Sequence, residues 1–203
     1  MPSPNPTHRI ATDRTAADRP APYPTLPPGT PLPASFVALD FETADAGADS
    51  ACAVGLVRVE DGLVTDRIYR LIRPPRREVP HAFVHGLSWG QLRKEPTFAR
   101  IWPQLAPLFE DAGAIAAHNA SFDSGVLLAC CELAGVIAPA FPWVCTVELA
   151  RETWALPSCK LPAVAAHLGI ALDHHHALSD AEACARILLA VRKRRVGLDP
   201  GTQ

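Results

Sequence analysis

An Asp-Gly pair at residues 61 and 62 stands between two apolar, β-prone runs, and it restricts what this chain can fold into. The runs are Ser50 to Glu60 and Leu63 to Arg73. A two-residue type I′ turn needs φ > 0 at both centres, which Asp-Gly tolerates and most pairs do not. The region therefore reads as an antiparallel hairpin. Phe36 to Glu42 reads as a strand before it, and Ala114 to Asn119 as a buried strand after it. Apolar residues then recur at three and four, the spacing of a helix face. Phe98, Ile101, Trp102, Leu105, Leu108 and Phe109 form one such set, behind a possible cap at Thr97. Phe122, Val126, Leu127, Cys130 and Leu133 form another, with Gly135 as its stop. Shorter helices fit Val147 to Trp154 and Leu161 to Leu168, and a long one begins near Leu178. Strands first and helices mostly later, with an early hairpin, predict an α/β fold on a mixed sheet flanked by helices.

The first 34 residues do not share this pattern. Ten of them are proline. Proline fixes φ and removes the backbone donor, so neither a helix nor a central strand is expected there. Residues 1–34 are read as a disordered or extended tail, 35–195 as the folded domain and 196–203 as a short C-terminal tail. The 203-residue chain has room for one sizeable core. Its formal net charge is −2, so bulk charge does not announce a nucleic-acid binder and any such role rests on local patches. The six cysteines form no C-x-x-C pair and are expected as reduced thiols in a cytoplasmic protein. No run approaches the ~20 apolar residues of a membrane span. No apolar signal segment opens the sequence.

The chemistry resides in carboxylates. Asp40 and Glu42 are two apart on a predicted strand, so both project from one face while Phe41 points to the other. They could be solvated acids on an edge strand. The strand is apolar and early in a hairpin sheet, which favours burial, and buried acids need a cation. Asp123 falls where a strand gives way to a helix, and Asp180 at the start of the last helix. Each could serve only to stabilise a helix N-terminus. His174, His175 and His176 precede Asp180 in a loop that could simply be solvated.

The combination says more than its members. Hard divalent cations take oxygen ligands and keep waters for substrate phosphate. Two such ions can activate a water and stabilise the leaving oxygen of a phosphodiester. A neutral histidine beside that water can accept its proton. Four acids and a histidine therefore supply the parts of a two-metal nuclease.

Three segments taken in order resemble the motifs of the DEDDh 3′–5′ exonucleases, the superfamily of the proofreading epsilon subunit of bacterial DNA polymerase III. They are Asp40-Phe41-Glu42-Thr43, His118-Asn119-Ala120-Ser121-Phe122-Asp123, and His175-x-Ala177-x-x-Asp180-Ala181. His85-Gly86-Leu87 is similar to the family's His-Gly segment between the first two. The resemblance runs from about Phe36 to Val191. It implies an RNase H-like exonuclease fold and two Mg²⁺ ions, with Mn²⁺ able to substitute. It implies Asp40, Glu42, Asp123 and Asp180 as catalytic metal ligands, with Asp40 bridging both ions. It implies His175 as general base and Thr43 at the 3′-terminal nucleotide. His85 and Asn119 follow as candidates for substrate contact or site support, and Phe122 for substrate contact. The implied activity is 3′–5′ exonucleolytic release of nucleoside 5′-monophosphates from single-stranded or frayed DNA, of a proofreading or repair type.

Alternatives remain at this point. The same chemistry could act on short RNA, or the fold could be a non-catalytic binding or docking module. "ETADAGAD" replaces the family's commoner sequence after the first acids, so nothing there identifies the residue that unstacks a terminal base. Few residues follow Arg195, which argues against tight docking on a polymerase and leaves a weak protein partner open. Arg70, Arg73, Arg76, Arg77, Arg93 and Lys94 are candidate phosphate contacts or a solvated surface. A zinc site within the histidine triplet is disfavoured, because adjacent residues rarely converge on one ion.

Overall fold

The computed structural model describes residues 24–26 and 29–197. Five strands, β1 (Phe36–Thr43), β2 (Ala51–Glu60), β3 (Leu63–Leu71), β4 (Ile115–Ala117) and β5 (Trp143–Cys145), form one sheet in the order β3-β2-β1-β4-β5. β1–β2 and β2–β3 are antiparallel, whereas β1–β4 and β4–β5 are parallel. The sheet is mixed, as the pattern predicts. Asp61 and Gly62 have φ of 49° and 82°, the two positive values that the hairpin turn demands. β1 lies at the centre, so Asp40 and Glu42 are not edge-strand acids.

Alternation along β1 sorts its side chains onto two cores. Val37, Leu39 and Phe41 join one cluster with Phe98, Ile101 and Leu105 of α3 (Phe98–Leu105) and Val126, Leu127 and Cys130 of α4 (Ala120–Ala134). Phe36 and Ala38 join the opposite cluster with Ala181, Cys184, Ala185, Leu188 and Val191 of α7 (Ala177–Gly197). Two-residue periodicity therefore continues the α7-facing row through Asp40 to Glu42. The small residues Ala177, Ala181, Cys184 and Ala185 are fully buried and let α7 lie close on the sheet. The closest approach is at Gly55, the register partner of Asp40. A Cβ there would overlap the Ala177 carbonyl and the Leu178 nitrogen.

Two short helices and one short strand escape the sequence pattern. The helices α1 (Ala82–His85) and α2 (Trp89–Leu92) and the strand β5 are three or four residues long, too short to establish a period. A 3₁₀ turn, Ala106–Phe109, follows α3. The helices α5 (Thr146–Thr153) and α6 (Leu161–Leu168) fall where expected. In α4 the assignment of an apolar face needs correction at both ends. Phe122 is 45% exposed and Leu133 61% exposed, while Ala120, Asp123 and Cys131 are buried.

Of the tail expected over residues 1–34, residues 24–26 and 29–34 are described, and they lie against the domain. The Pro24 carbonyl accepts the Trp143 N–H at 2.8 Å, and Thr25 forms an isolated parallel bridge with Trp143. Leu26 and Leu32 pack on the α7-side core, and the Leu32 carbonyl accepts from Arg192 Nε at 3.3 Å. A proline-containing strap of this kind occupies the outer edge of β5 without continuing the sheet. The rest of the tail reading, at 1–23, 27, 28 and 198–203, lies outside the described residues. Among the described residues no helix is long and apolar enough to cross a membrane.

Gly55→Ala tests the approach of α7. Forced separation of helix and sheet is expected to cost about 1–3 kcal/mol, read as a lower midpoint in urea unfolding. An unchanged midpoint would mean that α7 does not need this contact.

Candidate active site

Four acids meet where β1 passes under the first turns of α4 and α7. Asp40 and Glu42 come from β1, Asp123 from the first turn of α4 and Asp180 from the first turn of α7. Glu42, Asp123 and Asp180 are buried. One carboxylate oxygen each of Asp40, Glu42 and Asp180 lies within 4.8 Å of the others. Asp123 Oδ1 accepts the Phe41 N–H at 3.0 Å, so the residue between the two β1 acids also fixes the third.

No lysine or arginine among the described residues forms an ion pair with any of the four. Burial, then the charges of Asp123, Asp180 and Glu42, hold the Asp40 carboxyl well above the usual carboxylate range. Burial and Asp180 push Glu42 up to about 8. Burial also raises Asp123 and Asp180. Asp180 Oδ1 is buried with no hydrogen-bond partner. An acceptor-only group with an orphaned oxygen, beside two more carboxylates, lacks a cation. The donor set is all oxygen, which suits a hard divalent ion.

The histidine triplet divides its duties. His175 adopts a left-handed backbone (φ 69°), and its N–H donates to Asp180 Oδ2 at 3.0 Å. His174 Nδ1 contacts the same oxygen at 2.9 Å. The two rings stack at 3.8 Å. His176 turns away and stacks on Tyr69 at 4.4 Å. His174 is therefore no bystander, since it and the His175 backbone together set the rotamer of Asp180. Burial and His174 lower the His175 pKa, against a smaller opposing effect of Asp180. His175 is thus kept in the neutral form that can accept a proton.

Thr43 ends the acid strand beside the site. Its carbonyl faces His81 Nδ1 and His85 Nε2, each at 3.2 Å. His85 Nδ1 accepts the Leu87 N–H at 3.1 Å, so Nε2 carries the proton and donates to Thr43. His85 consequently supports Thr43 rather than facing open solvent. Asn119, at φ 86°, breaks the chain between β4 and α4, and its Oδ1 accepts from Ser121. Asn119 and Phe122 both line a cavity of about 810 Å³ that also contains Asp40, Glu42, His174, His175 and Asp180. Thr43 and His85 line it too, whereas Asp123, the remaining predicted site residue, is buried behind the cavity against the Phe41 N–H.

The basic residues expected to meet phosphate behave otherwise. Arg76 is held by Asp45 and Asp49 at 2.7 and 2.8 Å and staples the 44–50 loop. Arg70 bonds Gln104. None of the six expected cations lines the cavity, whereas Arg151 and Lys160 do. Sequence reasoning missed these two and His81, because Arg151 and Lys160 are placed by the packing of α5 and the α5–α6 connection, and His81 by the path of the chain from β3 into α1.

The model of a family described as "Exonuclease" matches residues 37–188. The chain belongs to that exonuclease family, whose members generally use divalent metal ions. Its relatives include the PolC-type DNA polymerase III of Thermotoga maritima, 31% identical over 160 residues, covering 77% of this chain and 12% of that protein. Exodeoxyribonuclease 10 of Escherichia coli is 29% identical over 149 residues, covering 68% of this chain and 60% of that one. Exonuclease X in complex with 5′ overhanging duplex DNA superposes with a TM-score of 0.63 at 23% identity, over 78% of this chain and 92% of that chain. A 3′-exonuclease that recognises a histone mRNA stem-loop gives 0.65 at 19% identity, over 81% and 83%. These likenesses establish the RNase H-like exonuclease fold. The chain spans about an eighth of the length of the PolC-type relatives it matches.

The acid cluster makes stability depend on pH in a defined direction. Burial and Asp180 hold Glu42 at about 8 in the folded chain, against its ordinary 4.5. The unfolded chain therefore loses this proton first, and metal-free stability falls as pH rises from about 4.5 to 8. In chelator the melting temperature is expected to be lower at pH 8 than at pH 5. Added Mg²⁺ is expected to raise it more at pH 8, and equal Mg²⁺ shifts at both values would contradict a metal-binding cluster.

Proposed function

We propose that this protein is a metal-dependent 3′–5′ exonuclease acting on single-stranded or frayed DNA and releasing nucleoside 5′-monophosphates. The observation that carries the reading is the convergence of Asp40, Glu42 and Asp180, with Asp123 beside them and no lysine or arginine partner among the described residues, in a chain of the exonuclease family. Two Mg²⁺ ions, replaceable by Mn²⁺, would supply the positive charge that activates a water and stabilises the leaving oxygen. Asp40, Glu42, Asp123 and Asp180 would hold them, with Asp40 central to the set. The names of the PolC-type relatives and of exodeoxyribonuclease 10 favour DNA over RNA.

In this mechanism the attacking water gives its proton to a ring nitrogen of His175. The new oxygen–phosphorus bond forms as the bond to the preceding 3′ oxygen breaks, and that oxygen takes a proton from solvent. His174 and the His175 N–H keep Asp180 oriented while His175 turns over its proton. Thr43, held by His81 and His85, borders the 3′-terminal nucleotide, and Phe122 offers a half-exposed ring to a base.

Labelled DNA and RNA oligonucleotides of one sequence, incubated with Mg²⁺, test the reading. DNA is expected to shorten from its 3′ end, and faster or equal RNA shortening would overturn the DNA assignment. Asp40→Ala is expected to abolish release; a wild-type protein inert in both Mg²⁺ and Mn²⁺ would end the enzyme reading. His175→Ala should lower kcat by roughly 10²–10⁴-fold, the contribution of a general base. His174→Ala should fall between His175→Ala and a nearly unaffected His176→Ala, and equal losses at all three would contradict these roles.

A further inference from the structure

We propose that Arg151 and Lys160 form a subsite for a second backbone phosphate of a single-stranded nucleic acid, adjacent to the phosphate seated at the carboxylates. For the identity of its ligand, the proposal rests on the nuclease reading above.

Both residues line the cavity that holds the acids, and among the described residues they are the only lysine or arginine that do. Both are exposed, and neither forms an ion pair among the described residues. A cation within 4 Å of the acids would neutralise them. These two lie beyond that reach, so the metal site keeps its charge and they remain open to a different anion. A cavity of about 810 Å³ lies toward the upper end of the range for small-molecule sites, leaving room for more than one nucleotide.

The local structure holds Lys160 in place. His118 Nε2 lies 2.9 Å from the Cys159 carbonyl and Nδ1 2.9 Å from Thr146 Oγ1. The carbonyl can only accept, so Nε2 donates, and Nδ1 accepts from the threonine. Burial lowers the His118 pKa to about 4, which preserves this neutral pairing. The first residue of the second acid motif thus ties down the carbonyl immediately before Lys160. Arg151 extends from α5, whose first residue is the Thr146 that completes the link. The loop cation and the helix cation are both tied through His118 to the end of β4, the strand paired with acid-bearing β1.

A protein with a net charge of −2 cannot hold a polyanion through its overall field. It needs a few well-placed cations, and each phosphate contact adds about 0.7 to the salt slope of single-strand binding. Fluorescence anisotropy of a 5′-labelled decathymidylate, titrated in Ca²⁺ over a range of NaCl and checked for cleavage, reads that slope directly. Lys160→Ala and Arg151→Ala are each expected to weaken binding about five- to tenfold at low salt and to flatten the slope by about 0.7. Lys160→Arg should restore it. Thymidine 5′-monophosphate, with a single phosphate, should lose less than twofold in competition.

An unchanged slope in both alanine variants would overturn the subsite. So would an equal loss for the mononucleotide, which would move these cations to the first phosphate. Flattening by Arg93→Ala or Lys94→Ala instead would return the phosphate track to the loop expected from sequence. Nucleotide release in Mg²⁺ is measured in parallel. Intact salt-dependent binding without release would end the exonuclease reading alone, and release with an unaltered slope would end the subsite alone.

Discussion

The site depends on how closely the start of α7 can approach the central strands. Gly55 has no side chain where the Ala177 carbonyl passes, and a row of alanines and a cysteine carries the helix across the sheet at short range. That contact delivers Asp180 to the same small volume as Asp40 and Glu42. A larger residue at 55 would lift the first turn of the helix, and the acids would no longer converge. The packing on this side of the sheet is therefore also the assembly of the site.

Convergence has an electrostatic cost that the fold does not relieve by itself. Asp40, Glu42 and Asp180 share one pocket with Asp123 buried beside them, all four with raised pKa values, and one buried oxygen of Asp180 has no partner. What the protein does supply is rigidity. The Phe41 N–H holds Asp123, the His175 N–H and the His174 ring hold Asp180, and His85 and His81 hold Thr43. These contacts orient oxygens without placing a lysine or arginine among them. Such an arrangement preserves affinity for a cation, whereas a lysine at hydrogen-bond distance would occupy its place.

Strand alternation, the Asp-Gly turn and the helical spacing were all legible from local residues, and so was the common face of Asp40 and Glu42. The position of Asp123 and Asp180 at helix starts was legible too. The division of labour among His174, His175 and His176 was not, because it depends on a single positive φ at His175 and on stacking with Tyr69 from another strand. The basic cluster around Arg76 misled for a related reason. Its nearest anions, Asp45 and Asp49, are 31 and 27 residues away in sequence and adjacent only in space.

The sequence alone determined the alternating strand that carries two acids on one face, the early hairpin and the order of the acid motifs. Periodicity and turn preference act over a few residues, so they can be read without the fold. Tertiary structure alone decided that the acids meet without a balancing cation, that His174 braces Asp180, and that Arg151 and Lys160 face the cavity. The acid convergence and the cavity lining join segments far apart in the chain, and the His174 contact, six residues in reach, depends on the turn at His175. They exist only because β1 sits at the centre of the sheet and α7 packs closely enough on it to bring those segments together.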